Sequence, residues 1–486
     1  MVAAQTRTAA TRRQQPITPE HALQSVATLR RINEDRLADR AAVVLLPRAD
    51  TDDEADSPSP VYDSYLNSRE ESIREMTNFG PLEFERLWRM IRDHMTVNWN
   101  TGRGRRSSFG GKDVFFMLLT VLKNCGKWDV VAAVFRVKTP SFQKMVTKFA
   151  TVLSPFLYET LVASALERFP MKKLVLGGQA FTNYPYARYA TDVTFQQSNM
   201  PAGRMQERAL YYSKKHHLHG YKVEVSVLPN GQAVNCTQHF PGNTGDIDVF
   251  RRNAEFHLQA LCKVDGDDEI PDDGRLVAQY PSSWAVLADK GYQGLARDFR
   301  AVTPYKRAPL QTLTLEQVAT NERIAHDRII VENYFGRLCT LWSICADKYR
   351  WDEDNYDVYF QVCVALTNFH IRANPLRRED GDSYARYLQR LTEIGDSIRS
   401  ERREIQRRYR ENRRNRLATL FVVHRERVNR PVPCSSHRES PSVGPGRRRG
   451  RDSARRSVEA TPTAPVADFD SSPSDEAELP GNPPVA

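Results

Sequence analysis

The stretch AVLADKGYQG, Ala285 to Gly294, decides how the rest of the chain is read. Ala285, Val286, Leu287 and Ala288 are small or apolar and predict a buried strand, and the run then ends in a carboxylate, Asp289. Lys290, Gly291 and Tyr292 follow and predict a sharp turn. A solvated loop has no need of this pattern, whereas a strand that delivers a ligand to a site does.

Working outward, ARYATDVTFQ (Ala187–Gln196) predicts a strand carrying Asp192. KVEVSVLPNGQAVNCTQHF alternates on both sides of Pro229-Asn230-Gly231, a hairpin pattern. GDIDVFRRNAEFHLQALC places Ile247, Phe250, Ala254, Leu258 and Leu261 on one helical face. FRAVTPYKR offers a fifth strand, and a long helix is expected from Leu315 to Asp347 with a stripe of Val331, Phe335, Leu338 and Trp342. VYFQVCVALTNFHIRA, Val358 to Ala373, predicts a last apolar helix. The order predicts an α/β fold, a mixed sheet flanked by helices.

Three acids stand out by position: Asp192 in the first strand, Asp289 at the end of the fourth, and Glu332 in the long helix. In a ribonuclease H-like sheet the first and fourth strands are neighbours, and a helix lying across them can bring its acid to the same edge. Three crowded carboxylates repel one another unless cations lie between them. Oxygen-only ligands suit Mg²⁺ or Mn²⁺. Two such ions clamp the attacking and leaving oxygens of an in-line phosphoryl displacement. Plainer roles fit the same residues singly. Asp192 is then a turn former or ion-pair partner, Glu332 a helix pair with Arg328 one turn before it, and Asp246 the N-cap of its helix.

Upstream, Ser68 to Ala165 reads as helical. GPLEFERLWRMIRDHM spaces Phe84, Leu87, Trp88 and Ile91 by three and four, and GKDVFFMLLTVLKNCG is a buried helix closed by Gly126. In KWDVVAAVFRVKTPSFQKMVTKFATVL, Trp128–Phe135 and a second helix, capped by Thr139 with Pro140 at its first position, flank a turn. That layout, spanning 128–150, is a helix-turn-helix with Ser141, Gln143, Lys144 and Lys148 on exposed parts of its second helix. A plain helical hairpin fits it equally.

The formal charge of +10 is unevenly spread. Arg399–Arg456 holds nineteen arginines against six acids, Ser457–Ala486 holds six acids and no base, and the folded body is nearly balanced. The basic character therefore lives in an arm (384–456) made of an Arg-rich helix, Tyr384–Val423, and a Pro/Ser/Arg tail, ahead of an acidic end (457–486). Residues 1–62 are polar, end in acids, and are expected to be disordered. Gly444–Arg456, GPGRRRGRDSARR, reads as an import signal, a DNA arm or plain arginine-rich disorder. The seven cysteines form neither a disulfide framework nor a zinc pattern, and no apolar stretch approaches a bilayer span.

The blocks YATDVTFQ, KKHHLHGYKVEVSV, FPGNTGDIDVF, LADKGYQG and RIIVENYFGRLCTLW, in this order, resemble the DDE superfamily endonuclease domain of PIF/Harbinger-type transposases over about residues 174–373. The resemblance implies that Asp192, Asp289 and Glu332 are the catalytic acids holding two divalent ions, Mg²⁺ or Mn²⁺. It gives Asp246 a secondary place at the active site, through its match to the family's PG-x-x-x-D block. Lys290 and Arg337 are expected to touch phosphates or to form salt bridges. His216, His217 and His219 invite a zinc reading, but the family's basic residues there imply a fold or backbone-contact role. DVTFQQSN departs from the small residue usual after the first aspartate, and the arm and acidic end lie outside the resemblance.

The expected function is DNA transposition, with water and then a DNA 3′-hydroxyl attacking phosphodiesters. Implied partners are double-stranded DNA (terminal inverted repeats and a target site), a Myb-like helper and further copies of the chain, in a nucleus and without a membrane. The rival readings are a domesticated DNA-binding descendant that does not cut, and a nuclease acting on another nucleic acid.

Overall fold

A computed structural model describes residues 59–103, 106–308 and 311–428 of the chain. The expectations for the N-terminal segment before residue 59, for Gly444–Arg456 and for the acidic end lie outside these residues. The chain divides into two units, 1–411 and 412–486. In the second, the described residues 412–428 are helical.

In the first unit a cluster of helices comes first: α1 (Pro60–Ser68), α2 (Glu70–Thr77), α3 (Pro81–Asn98), α4 (Gly111–Asn124), α5 (Trp128–Val134) and α6 (Thr139–Tyr158). Helix α1 therefore starts before the expected boundary at residue 62. Both Val61 and Tyr62 donate their backbone N–H to Asp113 Oδ1, at 3.1 and 2.9 Å, which satisfies helix-start donors that otherwise lack partners. Tyr62 stacks on Phe84 with ring centroids 4.5 Å apart. The α3 stripe of Phe84, Leu87, Trp88 and Ile91 is buried as its spacing predicted.

The hairpin α5–α6 is present, but Lys138 rather than Thr139 is the cap residue, and no side chain caps the helix. Beyond Pro155 the helix passes through one wide turn, Glu159–Ala163, into α7 (Ala165–Arg168), and α8 (Met171–Leu176) follows. Thr139–Arg168 is long and apolar enough to cross a membrane by length and composition, which corrects the expectation that no stretch was. Its apolar face, Phe142, Val146, Phe149, Leu153 and Leu157, lies in the protein core.

The sheet consists of β1 (Ala187–Gln197), β2 (Tyr212–Ser213), β3 (Leu218–Val227), β4 (Ala233–Cys236), β5 (Phe240–Pro241), β6 (Ala285–Leu287) and β7 (Ala301–Val302). Its order is β2-β3-β1-β6-β7, with β4 and β5 also paired to β3. β1 runs antiparallel to β3 and parallel to β6, so the sheet is mixed. The expected turn at Pro229-Asn230-Gly231 joins β3 to β4, with Gly231 at φ +86. Helix α9 (Met205–Tyr211) leads into β2, and α10 (Asp246–Arg252) and α11 (Ala254–Leu261) follow β5.

One continuous helix was expected over these last two. The break falls at Asn253, whose side-chain amide donates to Asn235 Oδ1 at 2.9 Å and Glu224 Oε1 at 3.1 Å. The break also turns Leu258 outward, where it is 60% exposed.

Helices α12 (Leu315–Leu341), α13 (Ser343–Ala346), α14 (Tyr356–Ala373) and α15 (Arg378–Val428) complete the fold. Thr314 caps α12 in a reciprocal box with Gln317. The helix ends at Leu341, short of the expected Asp347, because Trp342 is extended and its indole donates to Thr367 Oγ1 at 3.0 Å. Val331, Phe335, Leu338 and Trp342 are all buried.

Alternate β1 residues bind the helical face: Asp192 meets α12, Thr194 meets Tyr384 of α15, and Gln196 meets Tyr356 of α14. This face shares one apolar cluster with α3, α4 and α6, so the helical region and the sheet form one body and not two. On the opposite face Tyr189, Leu228 and Val286 pack with Phe250 and Leu261.

A candidate active site on a shared guanidinium

Asp192 sits at the middle of β1 opposite Val225, and Asp289 lies two residues past the end of β6, the strand beside β1. Tyr292 is buried, and its hydroxyl donates to Glu224 Oε2 at 3.4 Å. Glu224 in turn pairs with His257 at 2.9 Å, and the Tyr189 hydroxyl reaches the other ring nitrogen of His257 at 2.8 Å. Phe250 lies flat on His257, with centroids 3.5 Å apart. This buried network anchors the turn that carries Asp289. Sequence reasoning missed it, because Glu224 falls on a polar position of the alternating strand KVEVSV and so reads as solvent-facing, whereas the structure buries it.

Helix α12 is held to the same edge by Asp327, which was also missed. Its carboxylate accepts the backbone N–H groups of Asn183 and Tyr184 at 2.8 and 3.0 Å. The next residue, Arg328, points its guanidinium between the three acids. It donates to Asp192 Oδ2 at 2.7 Å and Glu332 Oε1 at 2.5 Å, and lies 3.9 Å from Asp289 Oδ1. The pair Arg328–Glu332 is thus part of a four-residue cluster and not an isolated surface pair. Sequence reasoning brought Asp192, Asp289 and Glu332 together and left Arg328 outside the site.

Burial pushes the Asp192 carboxyl up to about 6; Arg328 opposes this, Asp289 and Asp246 add to it, and the Val193 N–H opposes it. Burial works against the Arg328 charge, but Asp192, Asp289 and Glu332 outweigh it and hold the guanidinium above its ordinary range. Among the described residues no group of three or more His, Cys, Asp or Glu is close enough to hold a metal ion as it stands. The reason is visible in the geometry, because the acids face the guanidinium rather than one another. Their chemistry, three oxygen donors converging on one cation, fits a hard divalent ion once Arg328 withdraws.

Asp246 is not the N-cap expected of it. Gly245 holds that position, and Asp246, in the first turn, accepts Lys222 Nζ at 2.9 Å. It still borders the site, since a Cβ on Gly291 would lie 2.9 Å from Asp246 Oδ2. A larger residue at 291 would push the Asp246 carboxylate aside.

Of the two readings of Arg337, the structure shows the salt bridge, to Asp380 at 2.7 Å. Arg337 is buried, and its five N–H groups go to Asp380, His370 and the carbonyls of Asn374 and Pro375, so no donor is left for a phosphate. Beside it, a Cβ on Gly336 would fall 1.7 Å from the Asp380 carbonyl oxygen. The FGRL segment therefore clamps α12 to the start of α15.

Lys290 is exposed next to Asp289. Ser141, Gln143, Lys144 and Lys148 are exposed on α6. Of the histidines, His216 is buried against Phe195 with centroids 4.7 Å apart, and burial pushes it down to about 4. His217 and His219 contact Tyr212. The six described cysteines are free.

No match was found among curated proteins or among solved structures. The segment that contains Asp192, Asp246, Asp289, Arg328 and Glu332, residues 190–368, matches the family model described as DDE superfamily endonuclease.

Proposed function

We propose that this chain is a DNA-cutting transposase of the PIF/Harbinger type, built on a ribonuclease H-like sheet. The observation that carries the reading is the convergence of Asp192, Asp289 and Glu332 on one cation, inside the segment matched by the endonuclease family. The adjacency of β1 and β6 supports the ribonuclease H-like reading.

Asp192, Asp289 and Glu332 would hold two divalent ions, Mg²⁺ or Mn²⁺. Bound there, the ions would neutralise the phosphodiester and activate the attacking oxygen. The Glu224–Tyr292 network keeps Asp289 aimed at the site, and Asp246 with Lys222 backs the same turn. Lys290 is free to meet a phosphate beside the cut bond.

DNA recognition falls to α6, through Ser141, Gln143, Lys144 and Lys148, and to the arginines of α15 and the arm. Terminal inverted repeats, a target duplex, a Myb-like helper and further copies of the chain are the partners this reading implies, in a nucleus.

The test incubates the purified protein and Mg²⁺ with a plasmid carrying the genomic flanks of its own gene. Cuts at discrete flank positions, lost in Glu332→Gln, are expected. Flanks that are bound but left uncut in both Mg²⁺ and Mn²⁺ would replace this reading with that of a DNA-binding protein without cleavage.

A further inference from the structure

A cleft of about 690 Å³ opens where the α4–α5 junction meets the end of β1, the segment after α13, and α15. Its aromatic wall is formed by Trp128, Tyr349 and Trp351, and the two indoles stand 4.4 Å apart at 30°. Both tryptophans are only half-buried. Around them lie Lys127, Lys348, Arg350 and Arg390, against one acid, Asp347.

Asp347 is engaged by Arg390 at 3.8 Å. Among the described residues, Lys127, Lys348 and Arg350 pair with no carboxylate. A structural core has no use for unpaired cations, and a plain solvated face has no use for two adjoining indoles that are packed on the core at one side and left partly open at the other. Together they suit a ligand that is anionic and has an aromatic face.

We infer that this cleft binds an unpaired nucleotide of DNA, its base on the Trp128/Trp351 wall and its phosphates on Lys348, Arg350 and Lys127. Stacking of this kind needs a free base face, which a paired duplex does not offer. The volume suits a ligand-sized occupant, within the roughly 300–1,000 Å³ of small-molecule clefts. Gln197 lines the cleft at the end of the strand that carries Asp192. Five residues of strand put it roughly 16 Å from that acid, at about 3.3 Å per residue. The site would hold the strand adjoining the bond to be cut, and so rests on the nuclease reading.

The test is fluorescence anisotropy with a short single-stranded oligothymidylate, the same oligomer carrying abasic sites, and plasmid cleavage in parallel. Abasic sites with the wild-type protein, or Trp351→Ala with the intact oligomer, should weaken binding between about fivefold and a hundredfold. Neither should change its salt dependence. Lys348→Gln with Arg350→Gln should instead lower the slope of log K against log salt by about 0.7 per lost contact. The abasic oligomer keeps the protein intact, so misfolding of a variant cannot mimic its effect. Abasic and intact oligomers binding alike, or a wild type that cuts plasmid but binds no single strand, overturns the cleft and leaves the nuclease reading standing. Base-dependent binding without any plasmid cleavage overturns the nuclease reading and keeps the cleft.

Discussion

Replacing Arg328 by glutamine removes the one cation that, among the described residues, Asp192, Asp289 and Glu332 share. Breaking a buried ion pair by deleting one partner costs about 3–5 kcal/mol. Here the guanidinium is 12% exposed and Asp192 19%, but Asp289 and Glu332 are 45% and 38% exposed. Water and salt screen those two acids, so about 2–3 kcal/mol is the expected loss in the absence of divalent ions. For an ordered body of about 350 residues, unfolding entropy near 2.1 cal/mol/K per residue converts this to a fall in Tm of about 3–4 °C.

Divalent ions should then act more strongly on the variant than on the wild type. In the wild type an entering ion must displace the guanidinium, so the acids exchange one cation for another. In Arg328→Gln the ion relieves naked carboxylate repulsion. A ligand at about a hundred times its Kd stabilises by about 2.7 kcal/mol, enough to restore the variant. The assay is a thermal melt of both proteins in EDTA and across a Mn²⁺ titration. Equal Mn²⁺ gains in the two proteins, or no loss of Tm in EDTA, would refute the shared-cation argument.

Gly336→Ala forces a methyl against the Asp380 carbonyl, and since backbone cannot step aside the cost should reach about 3 kcal/mol, read as a lowered denaturant midpoint. Arg337→Lys loses the bidentate pair with Asp380 and should melt earlier while leaving the salt slope of DNA binding unchanged. A reduced slope would return Arg337 to the DNA-contacting residues. His239 is packed between Tyr221 and Tyr356 and bonded to Asp357 and Glu353. Burial lowers its pKa, but those two carboxylates outweigh burial and raise it above the ordinary value of 6.5. Its stabilisation is therefore complete below pH 6.5 and fades as pH rises through the folded value. Stability measured across pH 6–8 should fall in the wild type more steeply than in His239→Gln.

The parts of the fold that sequence reasoning reached are those written in local pattern. Asp289 after four small apolar residues, the alternation around Pro229-Asn230-Gly231 and the α12 stripe each depend on neighbours a few positions away. What escaped depends on distant partners. The break at Asn253 needs Asn235 and Glu224 on neighbouring strands. The end of α12 needs Thr367 to receive the Trp342 indole. Arg337 reads as a surface arginine until Asp380 and the carbonyls of Asn374 and Pro375 surround it. Arg328 was read as a helix neighbour of Glu332, because nothing local says that Asp192 lies within 2.7 Å of it. The helical region, Ser68 to Ala165, reads by itself because its helical period gives way to a strand period further on, and nothing local says that the surface it covers belongs to α14 and the sheet.

The most direct test of the central claim, that three acids distant in sequence share a divalent-ion site, is iron-directed cleavage of the protein itself. Fe²⁺ in place of Mg²⁺, with hydrogen peroxide as oxidant and ascorbate to re-reduce Fe³⁺, forms hydroxyl radicals that react close to the ion that made them, so a bound ion leaves localised cuts. The account predicts backbone cuts in three segments, around Asp192, Asp289 and Glu332, suppressed by excess Mg²⁺ and by Asp192→Asn. Cuts confined to one of these segments, or a pattern unchanged by Mg²⁺ and by Asp192→Asn, would contradict it.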